Sequence, residues 1–228
     1  MNLPLNTIRS LAVAGILGAL ACASSAATTT ALSIVSDGSW KSTATLQPGW
    51  FTPGFDDSGW SQARAPYPSP QPVSNLIAGT SAQRIWHDPL ALSDGTNGAI
   101  ETWYRRGFSL DLSSGAFVQF AHAIVFVDDD FEFYVNGNLV YTDVSGGFAD
   151  VPHFIDFSSH LVNGNNVLAI HAVDGGLFGP YDRLYESLLV DAVVRTAGVV
   201  PEPSTVALLL AGFAGVAVAV KRRRADQA

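Results

Sequence analysis

Short apolar runs with the spacing of β-strands dominate residues 28–199. No stretch in this region keeps apolar residues on one helical face over three turns. Runs rich in β-branched and aromatic residues recur instead, separated by Gly, Asn, Asp and Pro. This pattern predicts an all-β sandwich or jelly roll. Strands are expected at 31–35, 101–110, 116–127, 131–136, 139–141, 153–156, 167–173 and 187–195.

One of these pairs carries a strong hairpin signal. Phe131, Phe133 and Val135 alternate with Glu132 and Tyr134 and are followed by Asn136-Gly137. Asn-Gly between two apolar strands favours a tight turn, because both residues tolerate positive φ. Residues 167–170 are apolar at every position, which is typical of a central strand. Residues 61–100, with alternating prolines, predict a long loop or an irregular edge.

The N-terminus has the features of a secretory signal peptide over residues 1–27. A single Arg9 precedes the apolar run Leu11–Ala21, and small residues follow it, with cleavage expected after Ala23, Ala26 or Ala27. A retained anchor and acylation of Cys22 are the alternatives. Because Cys22 is the sole cysteine, cleavage leaves a mature chain without disulfides, thiol chemistry or cysteine-based zinc sites.

The C-terminal region, residues 200–228, combines a Pro-Glu-Pro motif, an apolar run at 206–220 and a basic cluster. A helix of this length spans roughly 22 Å, which is short for a permanent membrane span. This combination resembles the PEP-CTERM sorting signal of Gram-negative bacteria. The resemblance implies export, transient membrane anchoring through a transmembrane helix at 206–220, and an exosortase-type protease as partner. The expected destination is the cell surface, outer membrane or extracellular matrix. The sorting signal comprises Pro201, Glu202, Pro203, Arg222, Arg223 and Arg224.

The charge of the body excludes nucleic acid as a ligand. Between residues 28 and 200 there are 7 Lys or Arg and 18 Asp or Glu residues, a net charge of −11. Such a surface repels phosphate backbones and anionic lipid, and it suits an extracellular protein or one that uses divalent cations.

Four segments of the body resemble those of galactose-binding-like jelly rolls, such as the sugar-binding modules attached to many glycoside hydrolases. They are Phe55–Trp60, Trp103–Phe108, Phe131–Gly137 and Asn163–Ile170, in the same order as in that family. The resemblance implies a jelly-roll fold and a carbohydrate ligand. The matching residues are core and turn positions, so they indicate the fold rather than a binding site.

The sequence offers no catalytic motif, and we expect no enzyme activity. His122 and His171 lie in apolar strands, which favours hydrogen-bonded core histidines over ligands or bases. Asp128, Asp129 and Asp130 form a run of carboxylates that a calcium ion would stabilise. The alternative is a solvated turn between two strands. Calcium is therefore a candidate cofactor, and no other cofactor is indicated.

Aromatic residues are candidates for stacking on sugar rings. Trp86 lies beside the proline-rich region, and Tyr181 is followed by Asp182 and Arg183, so these four residues are the candidate ligand-binding set. Trp60 and Trp103 match core positions and are expected to be buried. The resulting hypothesis is a non-catalytic, exported β-sandwich that binds carbohydrate or exopolysaccharide. The alternative is a purely structural matrix or surface protein that acts through protein contacts.

Overall fold

The structure of the protein is a computed structural model. It describes residues 28–67, 73–87, 100–145, 151–174 and 187–198, together with Gly212, Phe213 and Ala225. Residues 28–199 form one compact unit. The strands described in this unit are β1 Thr28–Val35, β2 Lys41–Thr43, β3 Ser61–Gln62, β4 Ile100–Leu110, β5 Phe117–Asp128, β6 Asp130–Val135, β7 Asn138–Asp143, β8 His153–Asp156, β9 Gly164–Asp174 and β10 Ser187–Gly198.

The strands form two antiparallel sheets, which confirms the predicted all-β class. The four-stranded sheet has the order β1-β10-β5-β8, and the six-stranded sheet has the order β3-β2-β4-β9-β6-β7. The chain changes sheet between β1 and β2, between β4 and β5, between β5 and β6, and at each connection from β7 to β10. Such repeated crossing between two sheets is the arrangement of a jelly roll.

The core lies between the two sheets. Val125 and Val190 from the four-stranded sheet pack in one cluster with Phe133, Ile170 and Tyr104 from the six-stranded sheet, and all five are fully buried. Alternation along each strand explains this layer, because every second side chain points to the inner face. β9 lies between β4 and β6, so the prediction of a central strand at 167–170 is confirmed.

The predicted Asn-Gly hairpin is present between β6 and β7. Asn136 has φ 51° and Gly137 has φ 90°, as a tight turn with two left-handed residues requires. The Asn136 side chain also fixes neighbouring segments: its Nδ2 donates to His160 O at 2.8 Å, and its Oδ1 accepts from Val167 N at 2.9 Å. The turn is therefore tied both to β9 and to the short 3-10 helix Ser158–His160.

A repeated Asp-x-Ser turn closes several connections. In each, the aspartate carboxylate accepts a hydrogen bond from the backbone N–H of the serine two residues later, which stabilises the turn without a partner from elsewhere. These pairs are Asp37 with Ser39, Asp56 with Ser58, Asp111 with Ser113, Asp143 with Ser145 and Asp156 with Ser158.

The targeting segments lie outside the described residues. This applies to the expected signal peptide at 1–27 and to the expected transmembrane helix at 206–220, apart from Gly212 and Phe213. Among the residues that the structure describes, no helix has the length and apolar character needed to cross a membrane. The region 61–100 contains more structure than expected, with β3, a 3-10 helix at Val73–Asn75 and a β-bridge between Arg64 and Trp86.

Candidate functional site

The candidate residues from the sequence fall into different parts of the chain. Tyr181, Asp182 and Arg183 lie outside the described residues, as do the six residues of the sorting signal. Trp86 is fully buried, and its ring lies 6.0 Å from that of Tyr104 in the core. Trp60 and Trp103 are buried on the outer side of the six-stranded sheet, which confirms the expectation for these two.

The three consecutive aspartates connect β5 to β6. Asp128 ends β5, Asp130 begins β6, and the backbone N–H of Asp129 donates to Val173 O at 2.8 Å. Within the described part of the chain, no group of three or more His, Cys, Asp or Glu side chains is arranged to hold a metal ion. A calcium site at these aspartates stays a prediction.

A groove of about 440 Å³ lies on the outer face of the four-stranded sheet. Its walls come from three adjacent strands, β8, β5 and β10. We call it the outer-face groove, and the side chains that define it are His122, Ile124, Phe154, Asp156, Asp191 and Val193.

Strand register places these side chains next to one another. His122 is paired with Asp156 on β8 and with Val193 on β10, and Ile124 is paired with Phe154 and Asp191. Directly opposed residues in antiparallel strands have their side chains on the same face, within about 5.5 Å of each other at Cβ. Two successive rows across three strands therefore form the groove.

Phe154 supplies an exposed aromatic surface. It lies on β8, an edge strand of only four residues, and 73% of the residue is accessible to solvent. Its neighbour Ile155 points inward and is buried in the core. Leaving a phenyl ring this exposed forgoes roughly 2 kcal/mol of hydrophobic stabilisation, and it gives the groove an apolar wall that can cover a ligand.

The polar side of the groove is formed by His122 and Asp156. His122 Nε2 lies 3.7 Å from Asp156 Oδ2, and both side chains are more than half exposed. Asp156 Oδ1 accepts from the Ser158 hydroxyl at 2.6 Å and from the Ser158 backbone N–H at 2.9 Å. These two hydrogen bonds, with a smaller contribution from His122, hold the pKa of Asp156 below its ordinary value. Asp156 is therefore an ionised hydrogen-bond acceptor at neutral pH.

The structure corrects the expectation for His122, whose side chain is 56% exposed rather than buried in the core. Both faces of β5 carry apolar residues, so its sequence resembles that of a strand buried on both sides. Ala121, Ala123 and Val125 point into the core, whereas Phe120 and His122 lie on the outer face with their rings 5.3 Å apart. In the sequence, the apolar residues on the second face of β5 are the feature that could have indicated a binding surface.

His171 lies on the outer side of the six-stranded sheet and is also outside the main core. Its ring stacks on Trp103 at 4.9 Å, with Nε2 at 2.9 Å from Glu101 and Nδ1 at 3.5 Å from Glu132. The expected hydrogen bond is present, with the Glu101 carboxylate as partner, but the expected position in the core is wrong. These contacts involve both ring nitrogens of His171.

The C-terminal region matches a known sequence family. The sequence model of the PEP-CTERM protein-sorting motif matches residues 199–224. The chain carries a PEP-CTERM sorting motif. The motif implies export, recognition by exosortase and membrane-associated sorting in a Gram-negative bacterium. In the sequence, the PEP-CTERM motif begins directly after Gly198, the last residue of β10.

Solved structures similar to the chain include parts of large glycoside-processing enzymes. A glycosyl hydrolase family 2 member from Bacteroides cellulosilyticus has 18% identity and a TM-score of 0.47, covering 72% of this chain and 20% of that chain. A calcium-binding mutant of Bacteroides uniformis beta-glucuronidase 2 has 18% identity and a TM-score of 0.48, covering 73% and 18%. Exo-chitosanase CsxA of Amycolatopsis orientalis has 18% identity and a TM-score of 0.43, covering 71% and 20%.

The chain thus corresponds to about a fifth of the length of these enzymes. No curated protein matches the sequence.

Proposed function

We propose that this protein is an exported, surface- or matrix-associated β-sandwich that binds polysaccharide without cleaving it. Sorting through the PEP-CTERM motif delivers the body, and the outer-face groove binds the ligand. The observation that carries the proposal is the exposed ring of Phe154 beside the ionised Asp156 and its partner His122.

The chemistry of this groove suits a sugar. A pyranose ring has apolar C–H faces and a rim of hydroxyl groups. The face packs against an aromatic ring, and the hydroxyls donate to carboxylates or bond to imidazole nitrogens. Phe154 provides the ring, and Asp156, Asp191 and His122 line the same groove.

The lowered pKa of Asp156 suits this carboxylate to accept hydrogen bonds rather than to act as a proton donor. A glycosidase needs one carboxylic acid whose pKa is raised so that it can protonate the leaving oxygen. The hydrogen bonds from Ser158 act in the opposite direction on the pKa of Asp156. An ionised carboxylate accepts hydrogen bonds from sugar hydroxyls but has no proton to give.

The competing function is a purely structural role in the matrix or at the cell surface, through protein contacts alone. It predicts no saturable affinity for any glycan. The two functions share the sorting motif, so only the behaviour of the body distinguishes them.

Glycan binding tests the proposal directly. The full-length chain in detergent micelles is titrated with hydroxyethylcellulose, galactomannan, chitosan and polygalacturonate by isothermal calorimetry, with and without calcium. Removing the ring in Phe154→Ala should weaken binding roughly tenfold, since loss of an aromatic contact costs about 1–2 kcal/mol. Leu139→Ala is the matched control, because Leu139 is 52% exposed on the other sheet.

Asp156→Asn tests the polar side of the groove with little change in shape. We expect weaker binding in this variant with an unchanged fold by circular dichroism. Absence of binding to every polymer, or equal effects of Phe154→Ala and Leu139→Ala, would reject the proposal and favour the structural role. Release of reducing sugar by the wild-type chain would reject the non-catalytic part.

Sorting is tested separately in the producing cell. Replacing Pro201, Glu202 and Pro203 by alanine should leave an unprocessed chain in the membrane fraction on immunoblots. A variant that is processed and released like the wild type would contradict exosortase-dependent sorting.

A further inference from the structure

The outer-face groove continues along the sheet in one direction only. At the Phe126 end it is closed, because Val73, Leu76 and Ile77 pack over Phe126 and Leu189. Towards the start of β5, no cluster of described side chains is seen to cover the outer face, and Phe117 at the end of the strand is 55% exposed. A ligand that fills the groove therefore extends towards Phe117.

A β-bulge extends the aromatic surface in this direction. Phe117 and Phe120 are three residues apart, and in a regular strand they would point to opposite faces. The register between β5 and β10 shifts between Arg195 and Thr196, so that Arg195 pairs with Phe120 and Thr196 pairs with Val118. The extra residue on β5 is Gln119, which has no partner on β10. Because of it, Val118 points to the core, and Phe117 lies on the same outer face as Phe120.

Phe120 joins the groove to this outer end. The Phe120 ring lies 5.3 Å from the His122 ring at an interplanar angle of 24°. From β10, the Arg195 guanidinium lies 5.2 Å from the centroid of the Phe120 ring. From Phe117 to Ile124 the chain advances seven residues, which spans roughly 20 Å along a strand. Aromatic or imidazole rings recur along this length.

We infer that the site binds an extended, uncharged polysaccharide chain lying along β5 and β10, rather than a single terminal sugar. This inference rests on the proposed function. A surface of this length is much longer than one pyranose ring. A ligand in the groove therefore reaches the Phe117 ring only if it is an oligomer. Asp156 and Asp191 line the groove of a body with a net charge of −11. This negative charge outweighs the positive charge of Arg195 near Phe120, so the site repels a polymer of uronic acids.

Chain-length dependence tests the inference. The full-length chain in detergent micelles is titrated with cellobiose through cellohexaose, with the corresponding mannan oligomers, and with oligogalacturonates of matched length. We expect the hexasaccharide of the preferred neutral series to bind at least about tenfold more tightly than its disaccharide, because added contacts lower the free energy of binding. Phe117→Ala should remove most of this gain and leave disaccharide binding unchanged.

Each contrary result has a distinct meaning. Equal affinity for disaccharide and hexasaccharide overturns the extended site, and so does a Phe117→Ala variant that behaves like Leu139→Ala. Tighter binding of oligogalacturonates overturns the assignment of an uncharged chain. Absence of binding to every polymer in the wider panel means that the proposed function itself has failed.

Discussion

Arg105 should be one of the largest single contributors to the stability of the body. It lies on β4, is 4% exposed, and donates from Nε to Asp57 Oδ2 at 2.8 Å. Its guanidinium also donates to the carbonyl oxygens of Trp50, Thr52 and Phe55. One side chain thus holds the loop that covers the outer face of the six-stranded sheet.

We expect Arg105→Met to destabilise the fold by about 3–5 kcal/mol, as is usual when one partner of a buried ion pair is removed. Hydrogen bonds to a charged group each contribute about 1.5–3 kcal/mol, so four independent bonds would give more. Asp57 is 31% exposed, however, and water replaces part of what it loses. For a chain of this size the loss lowers the melting temperature by about 6–20 °C.

Urea and thermal denaturation, followed by near-ultraviolet circular dichroism, measure this change. Arg106→Met is the matched control, because among the described residues Arg106 donates only one long hydrogen bond, of 3.4 Å to Ser39 O. It should cost less than about 1 kcal/mol. Arg105→Lys keeps the charge but lacks the planar donor fork, so it should fall between the two. Equal stability of the Arg105→Met and Arg106→Met variants would refute the reasoning.

Three further predictions concern pH, the hairpin and calcium. The folded pKa of Asp156 is lowered by Ser158, so its stabilising effect is present above about pH 4 and is lost as the pH falls through the folded value; the urea midpoint should therefore fall less between pH 6 and pH 3 in Asp156→Asn than in the wild type. Asn136→Ala should destabilise by about 2–3 kcal/mol, measured by urea denaturation, because it removes the bond to Val167 N and places alanine at a left-handed φ; a loss no greater than that of an exposed alanine substitution would contradict this. If the consecutive aspartates hold calcium, chelation should lower the melting temperature in the wild type but not in Asp130→Ala, and an unchanged wild type would argue for a solvated turn.

The fold could be predicted because most strands carry their own local signal. The strand at 153–156 has the predicted bounds, and the turn at Asn136 follows from the need for positive φ. β2 and β3 were not predicted. They have three and two residues, too few to show alternation, and they form only through pairing with the long strand β4.

The candidate site could not be predicted because it depends on which strands are neighbours. His122, Phe154 and Asp191 come from segments that are more than thirty residues apart in sequence, and only the order β10-β5-β8 brings them together. Periodicity tells which residues of a strand share a face, but not which face is covered. The choice of Trp86 followed from its residue type and its place beside the proline-rich region, whereas its burial is set by the surrounding fold.

A single bulge determines how much of this face is aromatic. Without the shift at Arg195, the alternation that places Phe120 and His122 outside would put Phe117 inside and Val118 outside. The cost of the bulge is the loss of regular pairing at one residue, and it leaves a large phenyl ring in solvent at the end of β5. In the regular register Phe117 would point inward, which would remove the apolar surface of its ring from water. The exposed ring therefore favours a surface used for binding, and this is the property that the Phe117→Ala titration measures.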